Sequence, residues 1–503
     1  MRHIIYTFLI IMVAYISSCR KDFNTVPSFG NLEFSKDTVF LDTIFTNIGS
    51  STYNLKVYNR GNNAITIPEI RLENGTSSNY RLNVDGIPGK EFSDIDILAK
   101  DSIFVFVETT TDVGNALSLL YTDRILFDNG SQQQDVDLIT LVQDANFIYP
   151  GKDAVTMKID SLIFNGLSLN GQPTTFKGRF LTNTELTFTK AKPTVIYGFA
   201  AVPANKTLTI EAGSRVHFHD NSGLIIDNKG SLKANGTLSD KIIFEGDRLE
   251  HSFSETEGQW GAIWMRAGSL NNEIKHTIIK NGTIGLLVDS LGTPSTPTLK
   301  LQNTEIYNHS SYGVLGRETN IDAYNVVIGS AGISSLAATA GGTYNFTHST
   351  FANYWNNSLR QSPTVLVNNS FSYIDDNDQL VTETKDLHAA NFTNCIFDGN
   401  NNTEFELSKI DGGGLFNYNI SNSIIKSTNA NPLDFTSPFY QNIILNGNSH
   451  FKDPQKNEFI IGEESDAINK AKATPFLTDI LGVNRNTSPD IGAYQHITFE
   501  EEE

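Results

Sequence analysis

The chain has 503 residues, of which 39% are hydrophobic and 18% are charged. That hydrophobic share is enough for a core and excludes both wholesale disorder and a protein with many membrane spans. The formal net charge of −19 argues against nucleic acid as a partner, because binding to phosphates needs clustered Lys and Arg. Aromatic residues reach 10%, mostly Phe, with only four Met, which favours a β-rich fold.

The start of the chain has the features of an export signal. Arg2 precedes the mostly apolar run 4–16, which is too short to anchor the chain as a membrane-spanning helix. Small residues then lead to Cys19, a pattern that resembles the signal peptide of bacterial lipoproteins. The resemblance implies that Cys19 is lipidated and becomes the new N-terminus; an ordinary signal peptide with an incidental cysteine is the alternative. Arg20 rather than Asp follows, which resembles lipoproteins sorted to the outer membrane, some of them on its outer face.

Short strands with alternating apolar and polar residues follow the signal, between about 31 and 150. Examples are 38–41, 53–58, 64–67 and 103–107. Polar turns such as 59–63 separate these strands, and this pattern predicts a β-sandwich. The run 55–67 resembles the hairpin of immunoglobulin-like modules of the abnormal-spindle and hydin type, which implies a spacer or an adhesive unit.

A repeat begins further along the chain, where short apolar strands alternate with Gly and Asn turns from about residue 184. A unit of roughly Asn-Ser/Thr-x-Ile/Phe-x-Asn recurs at steps of 20 to 28 residues. Its apolar anchors are Ile279, Ile306, Ile328, Phe351, Phe371, Phe397 and Ile425. Repeats of this length built from short strands predict a β-solenoid, in which stacked turns share one core. The Asn residues need no catalytic role, because Asn tolerates left-handed backbone and can bond to the next turn.

The repeat resembles right-handed parallel β-helix proteins of the pectate-lyase-like type. Residues 208–244, continued by 258–263, resemble the opening turns of many secreted bacterial β-helices, and 465–494 resembles their closing segment. Two positions depart from the usual closing motifs, since Asp466 replaces a Pro and Gln495 replaces an acid. The resemblance covers about 300 residues and implies a fold rather than an activity, because one solenoid carries many chemistries.

We therefore expect an all-β protein, with an N-terminal immunoglobulin-like β-sandwich followed by a right-handed parallel β-helix. The expected segments are a signal peptide (1–19), a linker (20–30), the β-sandwich (31–150), connecting strands with the solenoid N-cap (151–200), the β-helix (201–460), a closing segment (461–496) and an acidic tail (497–503). The four consecutive Glu residues of the tail are most simply a solubilising end.

The sequence contains few motifs that indicate catalysis. None of the signature strings of the pectate-lyase or polygalacturonase families is present. Asp247, Arg248 and His251 combine an acid, a cation and a titratable base on one predicted loop, and they are the candidate catalytic residues. A surface cluster of ion pairs is the simpler interpretation.

Two groups of side chains are candidate metal ligands. Asp375, Asp376 and Asp378 form the densest acidic cluster of the predicted solenoid and could hold Ca²⁺, although a solvated loop is the simpler interpretation. His217 and His219 alternate on one predicted strand and so point to the same face, which suits a metal. The sequence shows no third ligand near them.

Two further residue types have competing interpretations. Trp260 and Trp264, four residues apart in a strand-rich segment, could form a sugar-stacking platform, although core packing or capping is the simpler explanation. Cys395 lies in an apolar run, and we expect it to be a buried, unreactive side chain.

A short modification signal, Asp followed by Ser or Thr and an aliphatic residue, occurs five times. It resembles the O-glycosylation sequon that some Gram-negative bacteria use on exported proteins, with chance matches as the alternative. The candidate hydroxyls are those of Thr38, Thr43, Ser102, Ser161 and Ser290.

The expected function is that of a cell-envelope lipoprotein, held to the membrane by its lipid, whose β-helix binds a glycan or forms a surface scaffold. Its expected partners are a polysaccharide or other surface proteins. The alternative is a polysaccharide lyase or glycoside hydrolase acting in the β-helix groove. An enzyme should bring acidic, basic and His side chains from adjacent turns to one patch, whereas a scaffold should show scattered charge. An acidic protein also repels acidic polymers, which favours a neutral glycan.

Overall fold

The computed structural model describes residues 24–112, 119–164, 174–289, 296–375, 378–410, 414–428 and 433–500. Within these ranges the expected all-β fold is confirmed, and the chain divides into two compact units between residues 144 and 145. None of the described helices is long and apolar enough to cross a membrane. The predicted signal peptide with Cys19 lies outside the described residues, as do Ser290 and Asp376.

The helical elements of the described residues are single 3₁₀ turns. They are η1 (Gly75–Ser77), η2 (Gly130–Gln132), η3 (Asn183–Glu185), η4 (His251–Phe253) and η5 (Pro454–Lys456). All other regular structure described here is extended. The first unit contains the strands β1 (Val26–Pro27), β2 (Glu33–Phe34), β3 (Thr38–Phe45), β4 (Tyr53–Tyr58), β5 (Ile65–Leu72), β6 (Tyr80–Val84), β7 (Ile87–Gly89), β8 (Glu91–Ile97), β9 (Ser102–Thr109), β10 (Leu120–Phe127) and β11 (Gln134–Gln143).

The strands of the first unit form two sheets. One has the order β1-β5-β10-β11-β3 with β8 paired to β5, and the other has the order β2-β4-β9-β6-β7. Alternating apolar residues of both sheets, such as Val105 and Val107 on β9 and Leu138 on β11, are fully buried in one common core. The period-two pattern of the sequence thus produces a shared interior with polar residues outside.

The turn 59–63 connects the two sheets and does not close the hairpin that the sequence suggested. β4 pairs with β2 and β9, whereas β5 pairs with β1, β8 and β10. Asn59 is buried in this turn, and its Nδ2 donates to the carbonyls of Asn63 at 2.8 Å and Leu98 at 2.9 Å. The hairpin prediction is wrong because alternation defines strands but does not say which strands pair.

The second unit contains many more strands, most of them short. They are β12 (Asn146–Ile148), β13 (Ser161–Phe164), β14 (Thr174–Phe180), β15 (Thr187–Phe188), β16 (Thr194–Ile196), β17 (Phe199–Val202), β18 (Thr207–Ile210), β19 (Arg215–Phe218), β20 (Gly223–Ile226), β21 (Ser231–Asn235), β22 (Ile242–Gly246), β23 (Trp260–Met265), β24 (Asn272–Lys275), β25 (Thr277–Lys280), β26 (Gly282–Asp289), β27 (Leu299–Tyr307), β28 (Tyr312–Ile328), β29 (Ser334–Thr347), β30 (Thr350–Asn353), β31 (Val365–Asn368), β32 (Ser370–Ile374), β33 (Leu380–Thr384), β34 (Leu387–Thr393), β35 (Ile396–Gly399), β36 (Phe405–Ser408), β37 (Phe416–Ser421), β38 (Ile424–Ile425), β39 (Tyr440–Gln441), β40 (Ile444–Leu445), β41 (Phe451–Asp453) and β42 (Glu458–Ile461).

Three parallel ladders run along the second unit, because each strand pairs with the strand one turn later in the chain. Ladder A contains β12, β16, β19, β22, β25, β27, β28, β30, β35, β38 and β40. Ladder B contains β14, β17, β20, β23, β26, β28, β29, β31 and β36. Ladder C contains β15, β18, β21, β24, β27, β28, β29, β34, β37 and β39. The ladder strands already begin within 146–202, a region that the sequence assigned partly to connecting strands.

Most of the predicted repeat anchors form one buried column on ladder A. Strand register aligns Ile279, Ile306, Ile328, Phe351, Phe397 and Ile425 in this order. All six are fully buried, and the rings of Phe351 and Phe397 stack with their centroids 5.3 Å apart. Burial of such side chains is the main favourable term that holds successive turns together.

Phe371 is the exception, and its assignment as an anchor is wrong. It lies on β32 of the antiparallel hairpin β32–β33 and is 39% exposed. This hairpin is inserted between the ladder strands β31 and β34, so Phe351 pairs directly with Phe397. The hairpin has Asn368 three residues before Phe371, the same spacing as Asn394 and Phe397 of the repeat, and this spacing does not reveal its different pairing.

A second column marks the turn between ladders C and A. Its members have positive φ angles between 45° and 57° and are His276, Asn303, Asn325, His348, Asn394, Asn422 and Asn442. Amide groups link neighbouring turns, for example from Asn325 Nδ2 to Asn303 Oδ1 at 2.9 Å. The Asn residues of the repeat therefore act as expected, by taking left-handed backbone and bonding to the next turn.

The C-terminal segment packs along ladder A. Phe459, Ile480 and Ile491 share an apolar cluster with the outward side chains of Val327 and Ile424. The amide group of Asn394 also exchanges hydrogen bonds with the backbone of Lys472, both at 2.8 Å. This segment therefore covers the later turns of ladder A.

Candidate functional site

Four side chains leave ladder A at the same point of four consecutive turns. Tyr149, Tyr197, His219 and Asp247 are each the first residue after their strands, which are β12, β16, β19 and β22. The ring centroids of Tyr149 and Tyr197 lie 4.9 Å apart, and those of Tyr197 and His219 lie 4.2 Å apart. His219 Nδ1 donates to Asp247 Oδ2 at 2.8 Å. We call these four residues the His219 column.

The His219 column combines two exposed rings and the half-buried ring of Tyr197 with a largely covered carboxylate. Tyr149 is 46% exposed, as is the side chain of His219, whereas the side chain of Asp247 is 9% exposed. Burial, and after it the carboxylate of Asp247, raises the pKa of Tyr197 and of Tyr149. Both phenols therefore stay protonated and can donate hydrogen bonds.

A second set of charged groups, centred on Glu245 two residues before Asp247, lies beside this column. Glu245 forms ion pairs with Arg215 and with Lys280, whose Nζ lies 3.9 Å from Glu245 Oε2. Lys280 Nζ also donates to Glu255 Oε1 at 3.0 Å, and so ties down the loop before β23. His217 is fully buried, and burial lowers its pKa, so its ring is neutral at pH 7.

The arrangement suits both binding and acid–base chemistry. Exposed aromatic rings stack on the apolar faces of sugars, while neighbouring carboxylate, ammonium and imidazole groups bond to hydroxyls. Because the carboxylate of Asp247 accepts the hydrogen bond from His219, Nδ1 of His219 carries a hydrogen, and Nε2 takes no part in the bond. Side chains from several adjacent turns thus meet at one patch, the feature that we expected of an enzyme rather than of a scaffold.

The structure places the three predicted catalytic residues in different surroundings. Asp247 belongs to the His219 column, and its carboxylate accepts a hydrogen bond from His219 on the preceding turn. The guanidinium of Arg248 pairs with Glu250 at 2.9 Å and lies 3.9 Å from the ring centroid of Phe253. His251 is exposed at the start of η4. Asp247 therefore joins a cluster that is built between turns rather than along its own loop.

The predicted calcium ligands lie on the inserted hairpin. Asp375 and Asp378 shape the turn between β32 and β33, where Asp378 N donates to Asp375 O at 3.0 Å. The hairpin follows ladder B four turns beyond β23, so Asp375 lies roughly 19 Å along the ladders from the Asp247 turn. Among the described residues, no group of three or more His, Cys, Asp or Glu side chains could hold a metal ion. Asp376 is not among them, and Ca²⁺ binding at this cluster stays a prediction.

The two tryptophans lie on opposite sides of β23. Trp260 is 1% exposed and stacks on Phe218 inside the core, with ring centroids 4.5 Å apart. Trp264 is 6% exposed on the outer side, where its Nε1 donates to Asp289 Oδ2 at 2.7 Å. A register shift within β23 breaks the alternation that would have put both on one face. They do not form one platform, and Trp260 fits the core interpretation.

An open apolar groove of about 340 Å³ runs beside Trp264. Its walls include Phe176, Phe199, Leu287 and Arg317. Trp264 thus contributes to a surface groove on ladder B, whereas the His219 column belongs to ladder A.

The remaining candidate residues occupy the following places. Cys395 is fully buried, and burial raises its pKa to about 12, so it is no nucleophile. Thr38 and Thr43 are half-buried on β3, Ser102 is half-buried on β9, and Ser161 is exposed on β13. These hydroxyls stay candidates for glycosylation.

Sequence reasoning missed the two tyrosines and the partnership of His219 with Asp247. The signal lay in the repeat itself, since the anchor column continues backward through Phe244 and Val216. The residues three positions after these anchors are Asp247 and His219. The step of 35 residues from Phe244 to Ile279 exceeds the 20 to 28 residues of the repeat, so this continuation becomes visible only once the strand pairing is known.

The comparisons with known proteins give weak likenesses. No protein-family model and no curated protein matches the chain. A solved α-1,3-glucanase of glycoside hydrolase family 87 from Streptomyces thermodiastaticus is 12% identical over 74% of this chain and 79% of that chain, with a TM-score of 0.28. A family 123 glycoside hydrolase from Clostridium perfringens is 13% identical over 22% of this chain and 23% of that chain, with a TM-score of 0.15. The chain thus spans under a quarter of the length of that hydrolase, and neither likeness carries a conclusion about function.

Proposed function

We propose that this protein is a lipid-anchored protein of the cell envelope that binds a neutral glycan at the His219 column. In this proposal an immunoglobulin-like module follows the anchor at Cys19, and a right-handed parallel β-helix presents the site. The three parallel ladders and the shared anchor column support the β-helix. The signal pattern at the start of the sequence supports the anchor.

The observation that carries the binding proposal is the stack of Tyr149, Tyr197 and His219 on consecutive turns, in which Tyr149 and His219 are exposed and Tyr197 is half-buried. Stacked turns place side chains at the roughly 4.8 Å strand spacing, which suits an extended polymer. Acidic and basic groups pair with one another beside the stack, as Glu245 does with Lys280. Because these charges compensate and the chain carries a net charge of −19, a neutral glycan is the better ligand.

The test is binding of the mature chain to a glycan array, with each hit measured by isothermal titration. Tyr149→Ala should weaken binding about fivefold, since stacking of a sugar on one aromatic ring is worth about 1 kcal/mol. Tyr373→Ala is the matched control, because Tyr373 is a similarly exposed tyrosine on the inserted hairpin, at 39% against 46%. If Tyr149→Ala and Tyr373→Ala bind the glycan with equal affinity, the proposal is wrong.

A second candidate function is cleavage of the bound glycan, and the hydrogen bond between His219 and Asp247 favours it. The chain would be assayed on neutral polysaccharides such as xylan and soluble β-glucan, with new reducing ends measured by titration. His219→Gln and Asp247→Asn should each lower turnover about 100-fold. Arg248→Ala, whose guanidinium pairs with Glu250, should keep most of it. Loss of turnover in Arg248→Ala alone would place the catalytic residues on the loop of Arg248 and His251 and not in the His219 column.

The anchor has its own test. Cys19→Ser should leave the precursor uncleaved by lipoprotein signal peptidase and unlabelled by radioactive palmitate. Incorporation of the label by this variant would show that Cys19 is not the lipidated residue. Mass spectrometry of the native protein would at the same time report whether Thr38, Thr43, Ser102, Ser161 or Ser290 carries a glycan.

A further inference from the structure

A polar pocket of about 660 Å³ opens on the late turns of ladder A, far along the unit from the His219 column. Its walls include Tyr354, Asp398, Asn402, Lys426, Asn446 and Ser449. This volume lies within the about 300–1,000 Å³ that small-molecule sites occupy. Strand register places Asp398, Lys426 and Asn446 on three consecutive turns, so they line one wall at the ladder spacing.

The charges in this pocket cancel. Lys426 Nζ lies 3.6 Å from Asp398 Oδ1, and these are the acidic and basic side chains among the lining residues. Burial, and after it the Asp398 carboxylate, raises the pKa of Tyr354, which keeps its phenol protonated. The remaining lining side chains are amides and hydroxyls, as in Asn402 and Asn446. These groups both donate and accept hydrogen bonds, as the vicinal hydroxyls of a sugar do.

Ser449 supplies an independent sign of a ligand. Ser449 is one of the residues that line the pocket and is only 3% exposed, and its buried Oγ has no hydrogen-bond partner among the described residues. Buried hydroxyls are normally paired, so an unpaired one at a polar pocket marks a position for an absent partner.

We propose that this pocket is a second binding site, which takes an uncharged sugar residue. It is built from its own side chains and does not depend on the His219 column. Amides, hydroxyls and one compensated ion pair match a polyhydroxylated neutral ligand, whereas an acidic sugar would meet the Asp398 carboxylate.

The test uses the full mature chain and an array of neutral and acidic oligosaccharides, with isothermal titration of each oligosaccharide that binds. Ser449→Ala and Asn402→Ala should each weaken binding of a neutral oligosaccharide about fivefold, the effect of one lost hydrogen bond. Ser449→Ala should leave the melting temperature unchanged or higher, because it removes no internal hydrogen bond. Asn62→Ala, at an exposed asparagine of the first unit, is the matched control for Asn402→Ala.

The outcomes separate this site from the His219 column. Neutral binding at two sites, one weakened by Ser449→Ala and Asn402→Ala and the other by Tyr149→Ala, supports both the pocket and the column. Neutral binding that Ser449→Ala and Asn402→Ala weaken but Tyr149→Ala does not supports the pocket and overturns the column as a glycan site. Neutral binding that only Tyr149→Ala weakens overturns the pocket. A wild-type chain that binds no neutral oligosaccharide, or a Ser449→Ala variant that melts several degrees lower, also overturns the pocket.

Discussion

Asp247 accepts a hydrogen bond from His219 at 2.8 Å, although 28 residues separate them in the chain. One turn of the second unit carries the chain from β19 to β22, which pair in parallel with Phe218 opposite Gly246. The two residues that follow these partners therefore meet. The chemistry of this patch thus depends on the register of the ladder, and predictions about the ladder are also predictions about the site.

The first prediction concerns the anchor column. Phe351→Asp places a carboxylate at a fully buried position, where it costs several kcal/mol or must be neutralised. The same change at Phe371, which is 39% exposed on the hairpin, should cost less than about 1 kcal/mol. Tryptophan fluorescence during urea unfolding measures both, because Trp260, Trp264 and Trp355 all lie in the second unit. Similar midpoint shifts for the two variants would contradict the register.

The second prediction concerns a buried ion pair. The side chains of Arg360 and Glu404 are 2% and 0% exposed, and Arg360 Nη1 donates to Glu404 Oε2 at 2.8 Å. Arg360→Ala should cost about 3–5 kcal/mol of unfolding free energy, because it leaves a buried carboxylate without its counter-ion. Arg248→Ala, which breaks a more exposed pair with Glu250, should cost at most about 1 kcal/mol. Urea midpoints compare the two, and a smaller loss for Arg360→Ala would argue against the buried pair.

The third prediction concerns pH. Burial lowers the pKa of His309 from its ordinary value of 6.5 to about 4, and its neutral ring accepts from Gly282 N and donates to Ile279 O. Stability linked to this ring is present above about pH 6.5 and is lost as the pH falls towards 4, because only the unfolded chain takes up the proton readily. His309→Gln does not titrate, so its melting temperature should fall less between pH 7 and pH 4.5. Equal falls would show that His309 is protonated in the folded chain.

The fourth prediction concerns the buried thiol. In a Cys19→Ser chain, Cys395 is the remaining cysteine, and burial raises its pKa to about 12. Its thiol should not react with a thiol reagent at pH 8 in the folded protein, since the thiolate is the nucleophile. Full reaction is expected in urea. Rapid labelling of the folded chain would place Cys395 at the surface.

The strands and the repeat could be predicted from the sequence, because the spacing of apolar residues in each strand shows which of its faces is buried. Alternating apolar residues marked strands such as β9, and recurring anchors such as Ile306 and Phe397 marked the turns of the ladder. The repeat pattern gave a wrong anchor at Phe371, because a strand of a hairpin can show the same short residue pattern as a strand of the ladder. Asn353, the last residue of one repeat unit, is fully buried, and its Nδ2 donates to Ala331 O at 2.9 Å, a contact that the repeat pattern does not predict.

The sequence by itself determined the all-β class, the repeat with its apolar anchors and the left-handed Asn positions, since burial and backbone sterics act on each residue locally. Only the tertiary structure decided which polar groups meet. Tyr149, Tyr197, His219 and Asp247 come from four turns of unequal length, so their spacing in the chain carries no period. The register of ladder A brings them together, because hydrogen bonds between parallel strands and the packing of anchors set that register, whatever the length of the loops between them.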